Sequence, residues 1–206
     1  MQPATEPGAG DVTARRRDVA RAGHLGDVDG ARAGLSDPAA AVRSTALGAL
    51  DRLGALTGDE LDAALSDSEP AVRRRAAELA ATRPATDLLA LLDDPDPSVV
   101  EMTAWAMGER AETVAVDRLS RLSASSGGHD DPLCREAAVA ALGAIGDVHG
   151  LPAVLAALDD KPAIRRRAAV ALAAFEGPEV EAALRRCLDD RDWQVRQVAE
   201  DLLAVD

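Results

Sequence analysis

Three histidines, two cysteines, four pairs of adjacent aspartates and three arginine triplets are the residues that could do chemistry in this chain. Metal chemistry would need ligands brought together. His24, His129 and His149 are scattered, and none stands next to a glutamate. The pairs Asp93-Asp94, Asp130-Asp131, Asp159-Asp160 and Asp189-Asp190 have the oxygen ligands of a cation site, but they recur at regular intervals. That regularity suits helix capping better than one metal centre. Cys134 occupies a position that holds Val42, Val72, Val99, Ile164 and Val195 in similar phrases, so it reads as a small core residue. Cys187, beside Leu188, reads the same way. Two thiols do not make a disulfide framework. The triplets Arg15–Arg17, Arg73–Arg75 and Arg165–Arg167 suggest phosphate contacts. Consecutive helical residues fan apart by about 100°, however, so a triplet cannot form a one-sided patch. No catalytic residue, metal site or cofactor follows from these groups.

Composition narrows the remaining functions. The chain has 206 residues and a formal net charge of −13, with Lys161 its one lysine. An acidic surface repels phosphate backbones, which disfavours nucleic acid as a partner. Hydrophobic residues make up 47% but aromatic residues only 1%, so the core is built from Ala, Leu and Val. Small side chains suit thin layers of closely approaching helices. No apolar run approaches the roughly 20 residues of a membrane helix. Residues 1–10 have no signal pattern and read as a disordered leader on a cytoplasmic protein, followed by a single domain over 11–206.

The elements that position these residues form a repeat. "DPAAAVRSTALGAL" (37–50) returns as "DSEPAVRRRAAELA" (67–80), "DPDPSVVEMTAWAM" (94–107), "HDDPLCREAAVAAL" (129–142), "DDKPAIRRRAAVAL" (159–172) and "DRDWQVRQVAEDLL" (190–203). A degenerate first copy is "DVTARRRDVARAGH" (11–24). Aligned on the Arg of the Val-Arg pair, the anchors fall at 17, 43, 73, 100, 135, 165 and 196. Pro70, Pro97, Pro132 and Pro162 lie three before the anchor, where a helix's first turn tolerates proline. Asp96, Asp131, Thr13 and Asp192 stand at capping positions. Apolar residues then recur at helical spacing, and Gly54, Pro84, Gly146 and Gly177 end the helix. A second helix follows each first one. One such pair cannot bury its apolar stripe alone, so stacked pairs are expected to share a continuous core. The fold expected is all-α: a right-handed α-α superhelix of about seven units and about 13 helices.

An aspartate lies six residues before the anchor in most copies: Asp37 and Arg43, Asp67 and Arg73, Asp159 and Arg165, Asp190 and Arg196, with Asp11 and Arg17 also fitting. Stacking places these charges in register. A structural ladder is expected, in which Arg bridges carboxylates and carbonyls of neighbouring units.

The D-x(3)-P/A-x-V-R-x-x-A-x-x-A-L phrases resemble the HEAT-repeat superfamily of armadillo-type folds, most closely the short bacterial HEAT-like repeats of the phycobilisome lyase type. The resemblance covers nearly the whole chain. It implies the solenoid fold; it does not single out an activity, because this repeat serves many. Deoxyhypusine hydroxylases of this type hold iron with His-Glu pairs that are missing here. Glycosylases of this type use a basic concave face, whereas here the position after the anchor reads Asp18, Ser44, Arg74, Glu101, Glu136, Arg166 and Gln197.

Departures from the repeat point to function. In the copy around 100, Val100 replaces the ladder Arg and Trp105 appears where Ala22, Gly48, Glu78, Ala140, Val170 and Asp201 stand elsewhere. Trp105 is therefore expected at a boundary, where it could anchor a partner. The longest spacing holds "SASSGGHDD" (123–131), expected as a flexible loop. In HEAT-type solenoids the second helices line the concave face. Here those of the first three units carry Asp27, Asp29, Asp59, Glu60, Asp62 and Asp87, while Arg118 and Arg121 mark a change of sign in the fourth. The function expected is a non-enzymatic scaffold that binds another protein through a basic segment, using Asp59, Glu60, Asp62, Asp87, Glu101 and Trp105. The alternative is an accessory lyase or oxidoreductase-type protein acting on a protein-bound prosthetic group.

Overall fold

A computed structural model describes residues 9–204. The chain divides into two units, residues 1–86 and 87–206. The first contains α1 (Ala9–Leu25), α2 (Val28–Ala33), α3 (Ala40–Arg52), α4 (Gly58–Leu65) and α5 (Pro70–Ala80). The second begins with a 3₁₀ segment, Leu89–Asp93, and continues with α6 (Pro97–Glu109), α7 (Val116–Ser123), α8 (Pro132–Ile145), α9 (Leu151–Ala157), α10 (Pro162–Ala171), α11 (Pro178–Cys187) and α12 (Trp193–Leu203). Among the described residues the regular elements are all helical.

The repeated phrase folds as its local chemistry requires. Helices α5, α6, α8 and α10 each start on their proline. The Asp96 carboxylate accepts the Ser98 N–H and that of Asp131 the Leu133 N–H, both at 2.9 Å, and Asp192 accepts the Gln194 N–H at 3.0 Å. Each bond satisfies one donor that a helix start leaves without an intrahelical partner. Thr13 does not cap, because α1 already runs from Ala9. The expected leader falls mainly on residues 1–8, outside the described residues, while Ala9 and Gly10 belong to α1.

In the first unit, α3 packs between α1 and α5, with α2 and α4 as the second helices. In the second, α8 packs between α6 and α10, and α12 closes against α10. Glycines allow close approach: a Cβ on Gly23 would lie 2.7 Å from that of Ala49, and one on Gly143 2.6 Å from that of Ala171. Leu47, Leu50 and Leu61 fill the first core, and Met107, Leu119, Leu142, Ile164 and Leu172 the second. Each fully buried side chain of this size contributes about 1.5–3 kcal/mol of transfer free energy.

These pairs form seven copies of an α-α superhelix, the last contributing α12 alone. Twelve α-helices are described. The expected thirteenth, the second helix of the third copy, is the 3₁₀ segment Leu89–Asp93. Pro84 and Pro95 bracket that stretch, and residues before proline are disfavoured in the α region.

Candidate functional site

The ladder arginines make forks. Arg43 gives Nε and Nη2 to the two oxygens of Asp67 at 2.8 and 2.6 Å. Arg135 does so to Asp160 at 3.0 and 3.2 Å, and Arg165 to Asp190 at 2.9 and 3.0 Å. The Nη1 of the same side chains turns back to carbonyls of their own copy: Asp37 O for Arg43, His129 O for Arg135 and Asp160 O for Arg165. Arg73 and Arg196 likewise donate to Asp67 O and Asp190 O, at 2.8 and 2.7 Å. Arg43, Arg135 and Arg165 thus each tie the turn of their own copy to the next.

Two positions differ from expectation. In the first copy the fork to Asp37 comes from Arg15, at 2.6 and 3.0 Å, so the anchor is Arg15 and not Arg17. The side chain of Asp11 lies outside the described residues. Between the fifth and sixth copies the rung is carried by Asp160; Asp159 is exposed, and its carboxylate only approaches Arg186, at 4.0 Å.

The forks set the carboxylate chemistry. The Arg43 guanidinium holds Asp67 below the ordinary carboxylate range, Arg165 does the same for Asp190, and Arg15 for Asp37. Burial pushes Asp160 up, but the bonds from Arg135 and the Lys161 N–H outweigh it and lower it overall. All are bound structural anions.

The rung between the fourth and fifth copies is absent. Val100, fully buried, fills the arginine position, and His129 stands in the aspartate position. The expected slack loop is closed here: His129 N–H donates to Leu122 O at 3.0 Å, and Gly127 takes φ +75°. A Cβ on Gly128 would meet Ala124 O at 2.2 Å, so this turn needs glycine. Beside it lies an open notch of about 510 Å³ lined by Asp93, Asp94, Arg118, Arg121 and His129. Arg118 bonds Asp93 at 2.5 Å and Leu89 O at 2.7 Å.

The acids expected to bind a partner fall into different settings. Asp59 and Asp62 are exposed on α4. Glu60 is committed: it accepts Arg32 Nε at 2.6 Å and the Thr57 N–H at 2.9 Å, while Thr57 Oγ1 accepts the Glu60 N–H at 3.2 Å. This reciprocal pair is a capping box. Asp87 is exposed and accepts the Leu89 N–H at 2.9 Å. Glu101 and Trp105 are exposed on α6, a first helix, Trp105 at 44%. Within the second unit Trp105 therefore belongs to the first-helix layer, not to the layer of α7, α9 and α11.

Burial disarms both thiols. Cys134 donates to Pro97 O at 3.2 Å, and burial, with Asp131 and Glu101 nearby, pushes its pKa up to about 11. Burial likewise raises Cys187. Among the described residues no three His, Cys, Asp or Glu side chains cluster as metal ligands, and no helix is long and apolar enough to cross a membrane.

Similar structures share this architecture. YibA of Escherichia coli is 15% identical over 99% of this chain and 77% of its own, with a TM-score of 0.60. The complex of CpcE and CpcF of phycocyanin lyase from Nostoc sp. aligns at 24% identity over 85% of this chain and 75% of the other, also at 0.60. A designed armadillo repeat protein in complex with the peptide (KR)4 aligns at 16% identity over 97% and 95%, with a TM-score of 0.51. At these identities the likeness is one of fold. No curated protein sequence matches the chain. The family model for HEAT repeats matches residues 59–128 and 127–204, more than half of the chain, and the protein therefore belongs to the HEAT-repeat family.

Proposed function

We propose that this protein is a non-enzymatic scaffold that binds another protein, holding a basic segment on the second helices of its first unit. The observation that carries this reading is the charge state of α2 and α4. Their one cation, Arg32, is consumed by Glu60 and by the Ala55 carbonyl, at 2.6 and 2.9 Å. Asp29, Asp59 and Asp62 remain exposed, with no cation within ion-pair distance among the described residues. A surface of one sign speeds encounter with an oppositely charged segment and selects against the wrong partner. Glu60 holds the platform together and does not face the partner. The designed armadillo repeat protein solved with (KR)4 is a precedent for basic peptides on this class of fold.

Calorimetric titration of the full chain with a peptide of alternating Lys and Arg tests the reading, with a Glu-rich peptide as control. Binding of the basic peptide alone supports it. Binding of both or neither contradicts it. The likeness to the phycocyanin lyase complex supplies the competing outcome, a stoichiometric absorbance on incubation with a bilin.

A further inference from the structure

We propose that the protein pairs with a second copy of itself, with the two α12 helices antiparallel and joined by their open faces. α12 belongs to the second unit, so the proposal is independent of the acidic surface on α2 and α4. The residue four after the anchor is Val19, Leu47, Ala77, Ala104, Val139 and Ala169 in the first six copies, and each is buried. In the last copy it is Glu200, which is exposed. Arg196 departs in the same way. Arg43, Arg135 and Arg165 spend Nε and Nη2 on a carboxylate of the next copy. Arg196 keeps the Nη1 bond to Asp190 O, but no carboxylate lies within ion-pair distance of it among the described residues. It is half-buried, whereas Arg135 and Arg165 are buried.

The face thus carries a guanidinium with two unused donors and, one helical turn on, a carboxylate without an ion pair among the described residues. Arg before Glu is the less favourable order for a pair within one helix, and the two stay apart. Trp193 and Leu203 extend them into a stripe. Trp193, Arg196, Glu200 and Leu203 follow i, i+3, i+7 and i+10, the spacing of a seam between two helices. Trp193 is 63% exposed and stands where α5, α6, α8 and α10 have proline. Leu203 is half-buried, whereas its equivalents Leu50, Ala80, Met107, Leu142 and Leu172 are buried.

The order of the stripe selects the occupant. It reads apolar, base, acid, apolar, and its midpoint in sequence is Val198. A two-fold axis crossing α12 at Val198 makes such a stripe complementary to itself. It sets Arg196 against Glu200 of the other copy, and Trp193 against Leu203, each contact made twice. A parallel pair would set Arg196 on Arg196 and Glu200 on Glu200, which is repulsive. The other charges of α12 and its cap are engaged: Asp192 accepts the Gln194 N–H at 3.0 Å and faces Arg166 at 3.5 Å, and Asp201 accepts from Gln197 at 2.8 Å.

Sedimentation of the full chain from about 1 to about 500 μM tests this. One helix pair makes a small interface, so a reversible dimer that dissociates on dilution is expected. Glu200→Arg and Arg196→Glu are each expected to weaken it by about tenfold or more. An equimolar mixture of these two variants is expected to associate within about threefold of the parent, because one then carries two bases on the stripe and the other two acids. Trp193→Pro, which restores the residue of the equivalent positions, is expected to weaken the dimer by about tenfold. Helical circular dichroism checks that each variant is folded, and Glu200→Arg leaves the ladder untouched. A monomer at every concentration would overturn the proposal. So would a dimer indifferent to Glu200→Arg, or a mixture that associates no better than either variant alone.

Discussion

The imidazole of His129 does the work of an aspartate for Asp131: its Nδ1 accepts the Asp131 backbone N–H at 3.0 Å. The carboxylates of Asp37, Asp67, Asp94 and Asp190 accept from Ala39, Glu69, Asp96 and Asp192 in the same way, at 2.7–2.9 Å. The turn survives, but an imidazole with its Nδ1 engaged in this way offers no pair of carboxylate oxygens to a guanidinium. Val100 fills the position of that missing guanidinium and is fully buried. The two departures compensate each other.

Restoring the rung one side at a time should therefore fail. Val100→Arg alone buries a charge without its carboxylate, a loss of about 3–5 kcal/mol. His129→Asp alone keeps the turn acceptor but adds an unpaired anion, about 1 kcal/mol. The double variant rebuilds the fork, with a coupling of about 2 kcal/mol between the sites in urea unfolding. Strictly additive effects would show that the positions do not face each other.

Acid should weaken the ladder in a defined window. Asp67, Asp190 and Asp37 have their carboxyls lowered by the arginines that fork them. The unfolded chain then binds protons that the folded chain does not. The stabilisation is complete above the unfolded carboxylate value of about 4 and is lost as pH falls through the lower folded values. Asp67→Asn removes one such group, so stability should fall less steeply with acid below about pH 4 than in the parent. Parallel profiles in urea unfolding would rule out the ionised fork.

Ala111 has φ +50°, in the left-handed region. It lies eleven residues after Val100, as Gly54 does after Arg43 and Gly146 after Arg135. Those glycines take φ +65° and +67°. A side chain there is strained, so Ala111→Gly should stabilise by about 0.5–1 kcal/mol after the entropy of the unfolded glycine is subtracted. The melting temperature should rise by about 1–4 °C. A lower melting temperature would contradict this.

Cys134 should resist alkylation at neutral pH. Its thiol is protonated, since its pKa lies near 11, and it is fully buried. Iodoacetamide should label it only in denaturant. Stoichiometric labelling of the native chain would show that the site opens.

The repeat, its cap residues and most rungs were legible because each rests on local spacing. Three adjacent arginines without a preceding proline hid the register of the first copy. Gly26, eleven residues after Arg15, carried the signal that would have fixed it. Asp159 and Asp160 are neighbours in "DDKP", and only the stacking geometry chooses between them. Glu60 was readable: Thr57 and Glu60 have the spacing of a capping box. The use of an imidazole nitrogen as a turn acceptor is not legible in a sequence, because it depends on how the loop from Ser123 closes.

The exposed carboxylates on α4 should attract a basic segment. The most direct test is the salt dependence of a labelled Lys-Arg repeat peptide binding to the parent and to the Asp59→Lys, Asp62→Lys double variant, followed by fluorescence anisotropy. Both positions are exposed and neither takes part in the capping box. Parent affinity should fall as salt rises, and the double variant should bind about tenfold or more weakly with a flatter salt dependence. Equal affinity for the two proteins, or parent binding indifferent to salt, would contradict it.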